Sequence, residues 1–256
     1  MKILDLLEYL TEDVELNDEV ILDAALGRGK ATFHWAKKVD ECGGQGRIIA
    51  VDKEIPRQHR QNVKETLSSY QKYVEIREAD IFNLDFLAAD SIDIINCHDT
   101  IVFLNNRPLK LLQALQEFKR VLKSRGKLII TSELPINYPD KPEAEGEWRR
   151  WTLLEVVHIL RGEDFASFPR PQELKPALEV LGFSVYQEKI FPGGKNKDTY
   201  KLPLKETKEI IEDKLSHLPW PRLRQALRES RERTWAEIEE KGYLKAPDKF
   251  VLKAEL

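Results

Sequence analysis

The residues with the most chemistry in them stand at the ends of short apolar runs. Val20-Ile21-Leu22-Asp23-Ala24-Ala25-Leu26-Gly27-Arg28-Gly29-Lys30 is a strand-like run that enters a turn carrying two glycines and passes at once into a helical segment. Glycine tolerates positive φ and lets the backbone approach a ligand closely, and the amides of a helix N-terminus attract negative groups. Later runs end in acidic or titratable residues: Asp52 followed by Lys53, Asp80 followed by Ile81, and the triplet Cys97-His98-Asp99. A carboxylate offers two acceptor oxygens, which suits a vicinal diol. A neutral imidazole can take a proton from a hydroxyl or an amine.

Nucleotide motifs test the turn. A dinucleotide fingerprint GxGxxG starting at Gly27 and Gly29 would put its third glycine where Thr32 stands, against the close helix–strand packing that glycine serves. A phosphate loop GxxxxGK[ST] places Gly29-Lys30 correctly, but Ala24 replaces its first glycine and Ala31 its hydroxyl. An NAD-linked oxidoreductase would use the same kind of sheet and an acidic ribose contact, and the missing third glycine speaks against it. A non-catalytic nucleotide-binding or scaffold protein would keep the cradle without a reaction.

Positioning these groups requires a sheet. Ile- and Val-rich runs at 19–26, 46–52, 73–80, 92–98 and 126–133 alternate with helical stretches at Lys30–Asp40, Pro56–Tyr70 and Pro108–Leu122. Alternating short apolar strands and helices predict an α/β fold with a parallel sheet covered on both faces. Ligands of such sheets sit beyond the carboxyl ends of the strands, where Asp52, Asp80 and His98 fall. Residues 2–10 predict a short amphipathic helix, with Ile3, Leu4, Leu7 and Leu10 apolar. The rhythm breaks after Glu133: residues 135–150 read as a loop, followed by helices at Trp151–Arg161 and Glu173–Leu181 and a strand at Phe183–Phe191. Two charged helical stretches separated by LPWP fill 204–241, and KFVLKAEL returns as a strand with Phe250, Leu252, Ala254 and Leu256 on one face. The expected organisation is one sheet domain over residues 1–256 with inserted caps at 134–170 and 204–241.

On these residues the chain resembles the class I S-adenosylmethionine-dependent methyltransferases. VILDAALGRG is similar to their first motif at Asp23, Gly27 and Gly29, with Ala25 where a glycine is usual; Asp52 and Asp80 match the acidic residues that hold ribose hydroxyls and the adenine amino group. FKRVLKSRGKLIITSE and LKPALEVLGFSVYQEKIF resemble the family's later helix–strand units. The resemblance implies a Rossmann-like, seven-stranded, mostly parallel sheet with helices on both faces, the last strand antiparallel, and two helical cap insertions. It implies S-adenosyl-L-methionine as cofactor, held by Asp23, Ala25, Gly27, Gly29, Asp52, Lys53, Asp80, Ile81 and Cys97, with His98 and Asp99 as candidate catalytic residues. Asp23 is expected either to reach the cofactor's ammonium through water or to hold the turn by accepting backbone amides.

The acceptor is bounded more loosely. Lys and Arg number 41 against 44 Asp and Glu, a formal net charge of −3, so there is no basic excess of the kind that tracks phosphate. Asn-Cys-His-Asp at 96–99 lacks the Asn-Pro-Pro-Tyr or Asp-Pro-Pro-Tyr of the amino-methylating nucleic-acid enzymes it would otherwise resemble. A small-molecule acceptor is therefore expected, with RNA or protein as the alternative. Tyr138, Trp148, Trp151 and His158 are candidates for an aromatic lid, against the plainer reading of helix packing. The Trp220 and Trp235 side chains read as anchors, and Arg222, Arg224, Arg228, Arg231 and Arg233 as a solvated face interleaved with Glu229, Glu232 and Glu237. Two distant cysteines and five scattered histidines give no disulfide scaffold and no zinc spacing, so no metal is expected. No apolar run approaches the roughly 20 residues of a membrane span, and the acidic start MKILDLLEYLTEDVEL has no secretory processing site, so a cytoplasmic location is expected.

Overall fold

Buried Ile, Leu and Val build the central strands of the computed structural model, which describes residues 3–14, 16–54, 57–105, 109–135 and 142–256. Pro56, Pro108 and Tyr138 lie outside the described residues. The strands are β1 (Val20–Asp23), β2 (Arg47–Asp52), β3 (Val74–Glu78), β4 (Ile92–His98), β5 (Leu122–Glu133), β6 (Ser184–Phe191), β7 (Lys195–Asn196), β8 (Leu244–Lys245) and β9 (Lys249–Glu255). The helices are α1 (Ile3–Thr11), α2 (Lys30–Glu41), α3 (Arg57–Leu67), α4 (Ile101–Leu104), α5 (Lys110–Val121), α6 (Glu145–Ile159), α7 (Pro171–Val180), α8 (Lys201–Ser216) and α9 (Pro221–Lys241).

Seven strands form one Rossmann-like sheet in the order β3-β2-β1-β4-β5-β9-β6. Pairing is parallel from β3 across to β5. Arg125 donates its backbone N–H to Leu256 and Leu134 donates to Asp248, so β9 descends as β5 ascends and the last strand is antiparallel. Side chains of adjacent residues point to opposite faces of a strand. Ile21, Ile48, Ile94 and Ile129 therefore meet Leu6, Leu7 and Leu10 of α1 and Trp35 and Val39 of α2 on one face, while Leu22, Ile49, Ile95 and Ile130 are buried on the other. Burial on both sides explains why these strands read as continuous apolar runs.

The chain divides into two compact units. The sheet unit comprises residues up to 132, 168–191 and 250–256; the second unit comprises 133–167 and 192–249. In the second unit α6, α8 and α9 pack around Leu153, Leu154, Val157, Ile211, Leu215 and Leu218. Both inserted segments thus contribute to one helical body, which also carries the short antiparallel ladder β7–β8 that periodicity does not reveal.

Several expectations are corrected. The helix expected at Trp151–Arg161 begins at Glu145, within the stretch read as loop. Its first turns are fixed by a close approach to α9, where a Cβ at Gly146 would sit 2.7 Å from Ile238 Cγ1. They are fixed also by the buried Arg150 Nη2–Glu147 Oε1 pair at 2.5 Å. Arg231 is not on a solvated face: it is buried and paired with Glu212. For the other face of β9 the sequence raised no expectation; it is buried too, and Lys253 is enclosed there, 3.2 Å from Asp13 and 4.4 Å from the Tyr9 ring centroid.

Candidate active site

The sheet order changes direction between β1 and β4, and a parallel sheet opens a crevice at such a point. A cavity of about 610 Å³ lies there, bounded by the residues that follow β1, β2, β3 and β4. Ala25 and Gly27 come from the glycine turn, Asp52 and Lys53 from the end of β2, Asp80 and Ile81 from beyond β3, and His98 and Asp99 from the end of β4. Residues separated by more than 70 positions in sequence are brought together by strand register alone.

The turn is stapled on both sides. Ala24 N–H donates to the Asn96 carbonyl at 2.9 Å and Leu26 N–H to the Val51 carbonyl at 2.8 Å. Gly27 has φ +50° with nothing within 4 Å of the place a Cβ would take, so the backbone faces open space. Its N–H donates to Asp52 Oδ2 at 2.9 Å. Gly29, at φ +78°, is the left-handed residue that starts α2. It lies behind the cavity wall, where an added Cβ would meet Val63 at 3.8 Å.

Asp23 is fully buried and does not line the cavity. Its Oδ2 accepts from the Thr32 hydroxyl at 2.5 Å and its Oδ1 from Asn96 Nδ2 at 2.8 Å, and it also accepts the Ala25 backbone N–H. Burial pushes its carboxyl up to about 6 against the opposing pull of those donors, with the Asp52 charge adding to the rise. Of the two roles open to Asp23, the contacts present are those of a turn holder. Cys97 is likewise buried behind the wall, and desolvation pushes its thiol up to about 12.

Asp80 accepts the Phe82 N–H at 3.1 Å through Oδ1, and its Oδ2 lies 3.0 Å from Lys53 Nζ. His98 Nε2 stands 3.6 Å from Asp99 Oδ2. Asp99 has φ +54°, a conformation that costs an ordinary residue roughly 1–2 kcal/mol. It is held there by donation of its N–H to the Thr131 carbonyl at 2.8 Å. Leu7, Phe82, Thr100, Phe103, Leu104 and Lys110 also line the cavity, and sequence reasoning did not single them out for it. The apolar stripe of α1 was legible, but its target was not; Phe103 sits in an IVFL run too short to show a period.

Trp148, Trp151 and His158 belong to the helical unit. The Trp151 indole N–H donates to Glu147 at 2.8 Å and its ring lies 5.6 Å from Phe165, while His158 Nδ1 is 2.7 Å from the Leu154 carbonyl. These contacts are those of helix packing. Trp148 borders a groove between α6 and α9 together with Ser230 and Arg233.

Residues 16–158 match a family model described as a methyltransferase domain. The chain belongs to that family. The methyltransferase uses S-adenosyl-L-methionine, and this decides against the NAD-linked reading. Solved structures agree in fold. A SAM-dependent methyltransferase from Methanosarcina mazei superposes with TM-score 0.57 at 14% identity, covering 96% of each chain. One from Archaeoglobus fulgidus gives 0.51 at 16% identity, covering 100% of this chain and 94% of that one. The [4+2]-cyclase SpnF gives 0.58 at 14% identity, covering 98% of this chain and 79% of that one. A cyclase among the likenesses illustrates that the fold by itself does not set the reaction. A search of curated proteins returned no match.

The residues present fit the cofactor. Open space over Gly27 admits a ligand against the backbone, the amides opening α2 offer donors to a carboxylate, and Asp52 and Asp80 present acceptors on separate strand ends. Among the described residues no group of three or more His, Cys, Asp or Glu is arranged to hold a metal, and no helix is long and apolar enough to cross a membrane.

Proposed function

We propose that the methyltransferase acts on a small molecule, taken at the β4 end of the cavity. The observation that carries this reading is the composition of that end: the His98–Asp99 pair at 3.6 Å stands beside Thr100 and an apolar wall of Leu7, Phe103 and Leu104. Small-ligand pockets span roughly 300–1,000 Å³ and combine apolar walls with a few polar groups; the cavity of about 610 Å³ must hold the cofactor as well, so the space left beside it suits a small acceptor.

When bound, S-adenosylmethionine supplies a methyl group made electrophilic by the adjoining sulfonium. Asp52 and Asp80 fix the adenosine end, and the stapled turn fixes the amino-acid end. His98 takes the proton that an attacking hydroxyl or protonated amine must lose, and Asp99 orients the imidazole. Apolar walls limit water, and rate comes largely from holding nucleophile and methyl in line.

The test is to incubate the pure enzyme and methyl-labelled cofactor with fractionated cell extract. Label entering a low-molecular-weight product that separates chromatographically from the unreacted cofactor is the expected result. Label confined to RNA or protein contradicts the small-molecule reading and leaves the family assignment in place.

A further inference from the structure

Thr32 occupies the position at which a dinucleotide cradle would carry its third glycine. In the folded chain it has a task of its own: from the first turn of α2 its hydroxyl reaches back 2.5 Å to Asp23 at the end of β1. Asn96, on the neighbouring strand β4, donates to the other carboxylate oxygen at 2.8 Å. All three side chains have no solvent exposure. The carboxylate is thereby tied to α2, to β4 and, through the Ala25 N–H, to the turn itself.

We propose that Thr32 and Asn96 are positioning residues for the cofactor turn, acting through Asp23. The turn takes positive φ at Gly27 and Gly29 and not at Ala25, and a glycine-bearing backbone keeps one bend only where something holds it. Its path is set by anchors on either side: Ala24 is bonded to the Asn96 backbone, and Gly29 opens the helix that carries Thr32. Asn96 therefore touches the turn twice, by main chain at Ala24 and by side chain at Asp23. Loss of either side-chain donor leaves a buried carboxylate with fewer donors, which favours protonation and slackens the turn. The titratable groups facing Asp23 are Asp52 at the end of β2 and Cys97 on β4; the first raises its carboxyl, and the second stays a neutral thiol. With Thr32 absent, protonation of Asp23 moves toward neutral pH and cofactor affinity becomes pH-dependent there.

This inference rests on the family assignment, and the experiment separates the two. Calorimetry with S-adenosylhomocysteine is run between pH 5.5 and about 8.5 on wild type, Thr32→Val, Thr32→Ser and Asn96→Leu, with amide hydrogen exchange at Ala25–Gly29 read in the empty proteins. Expected are affinity losses of about tenfold or more in Thr32→Val and Asn96→Leu, the size associated with bonds to a charged group. Their losses shrink as pH rises, their turn amides exchange faster, and Thr32→Ser recovers most of the affinity. Should Thr32→Val fail to fold, Thr32→Ser against Thr32→Ala carries the same comparison. Affinity and pH profile unchanged in the variants, with only thermal stability reduced, would overturn the proposal. A wild type that does not bind would instead strike at the family assignment.

Discussion

The backbone N–H of Gly27 donates to Asp52 Oδ2 at 2.9 Å, joining the turn after β1 to the carboxylate at the end of β2. One oxygen of Asp52 is thus oriented by the protein itself, and the two parts of the cradle are assembled in register.

Asp52→Ala removes the acceptor for the Gly27 N–H and with it the carboxylate proposed to hold the cofactor's diol. Affinity for S-adenosylhomocysteine is expected to fall at least tenfold, in line with about 1.5–3 kcal/mol for hydrogen bonds to a charged group. Calorimetry reads the loss, and a melting temperature within a few degrees of wild type shows that the effect belongs to the site.

Asp23 makes stability depend on pH with a defined sign. Its carboxyl is raised from 3.8 to about 6 in the folded chain, chiefly by burial. The folded state therefore holds the proton more tightly, a contribution fully present below 3.8 and lost as pH rises through about 6. Thermal melts from pH 4 to about 7.5 should show this decline in wild type and its absence in Asp23→Asn. That variant should be at least as stable as wild type above pH 7 while binding cofactor more weakly, a separation of stability from function common at sites.

His98→Ala is expected to lower kcat by about 10²–10⁴, the usual range for a general base, while cofactor affinity changes less than threefold. Steady-state kinetics on the true acceptor, with calorimetry beside them, checks both. Unaltered turnover would remove His98 from the proton-transfer role.

In the helical unit, Arg150 is buried with Glu147 and also donates to Thr207 Oγ1 at 2.7 Å. Arg150→Met strands the Glu147 charge and should destabilise the protein by about 3–5 kcal/mol. Adding Glu147→Gln should recover most of that in denaturant titrations.

Legibility in the sequence followed the physics of each feature. Strands buried on both faces announce themselves as apolar runs, so β1, β2, β4 and β5 were readable, as were the acidic residues beyond them. Side chains that serve by long-range pairing were not. Thr32 looked like a defect in a dinucleotide motif until Asp23 stood beside it, Arg231 looked solvated until Glu212 closed on it, and nothing in the sequence singled out Lys253, which Asp13 approaches. The second unit was hidden for another reason: its two segments are separated by α7 and β6, and no local period signals that α6 packs on α8 and α9.

The central claim is that the crevice above β1 and β4 holds an adenosyl sulfonium through the Gly27 turn, Asp52 and Asp80. Its most direct measurement is a calorimetric titration of the folded protein with S-adenosylmethionine, S-adenosylhomocysteine and NADH, repeated on Asp52→Ala. Saturable binding of the first two, weakened at least tenfold by the substitution and not seen with NADH, is the predicted result. Binding of NADH with no uptake of either sulfur compound would contradict it.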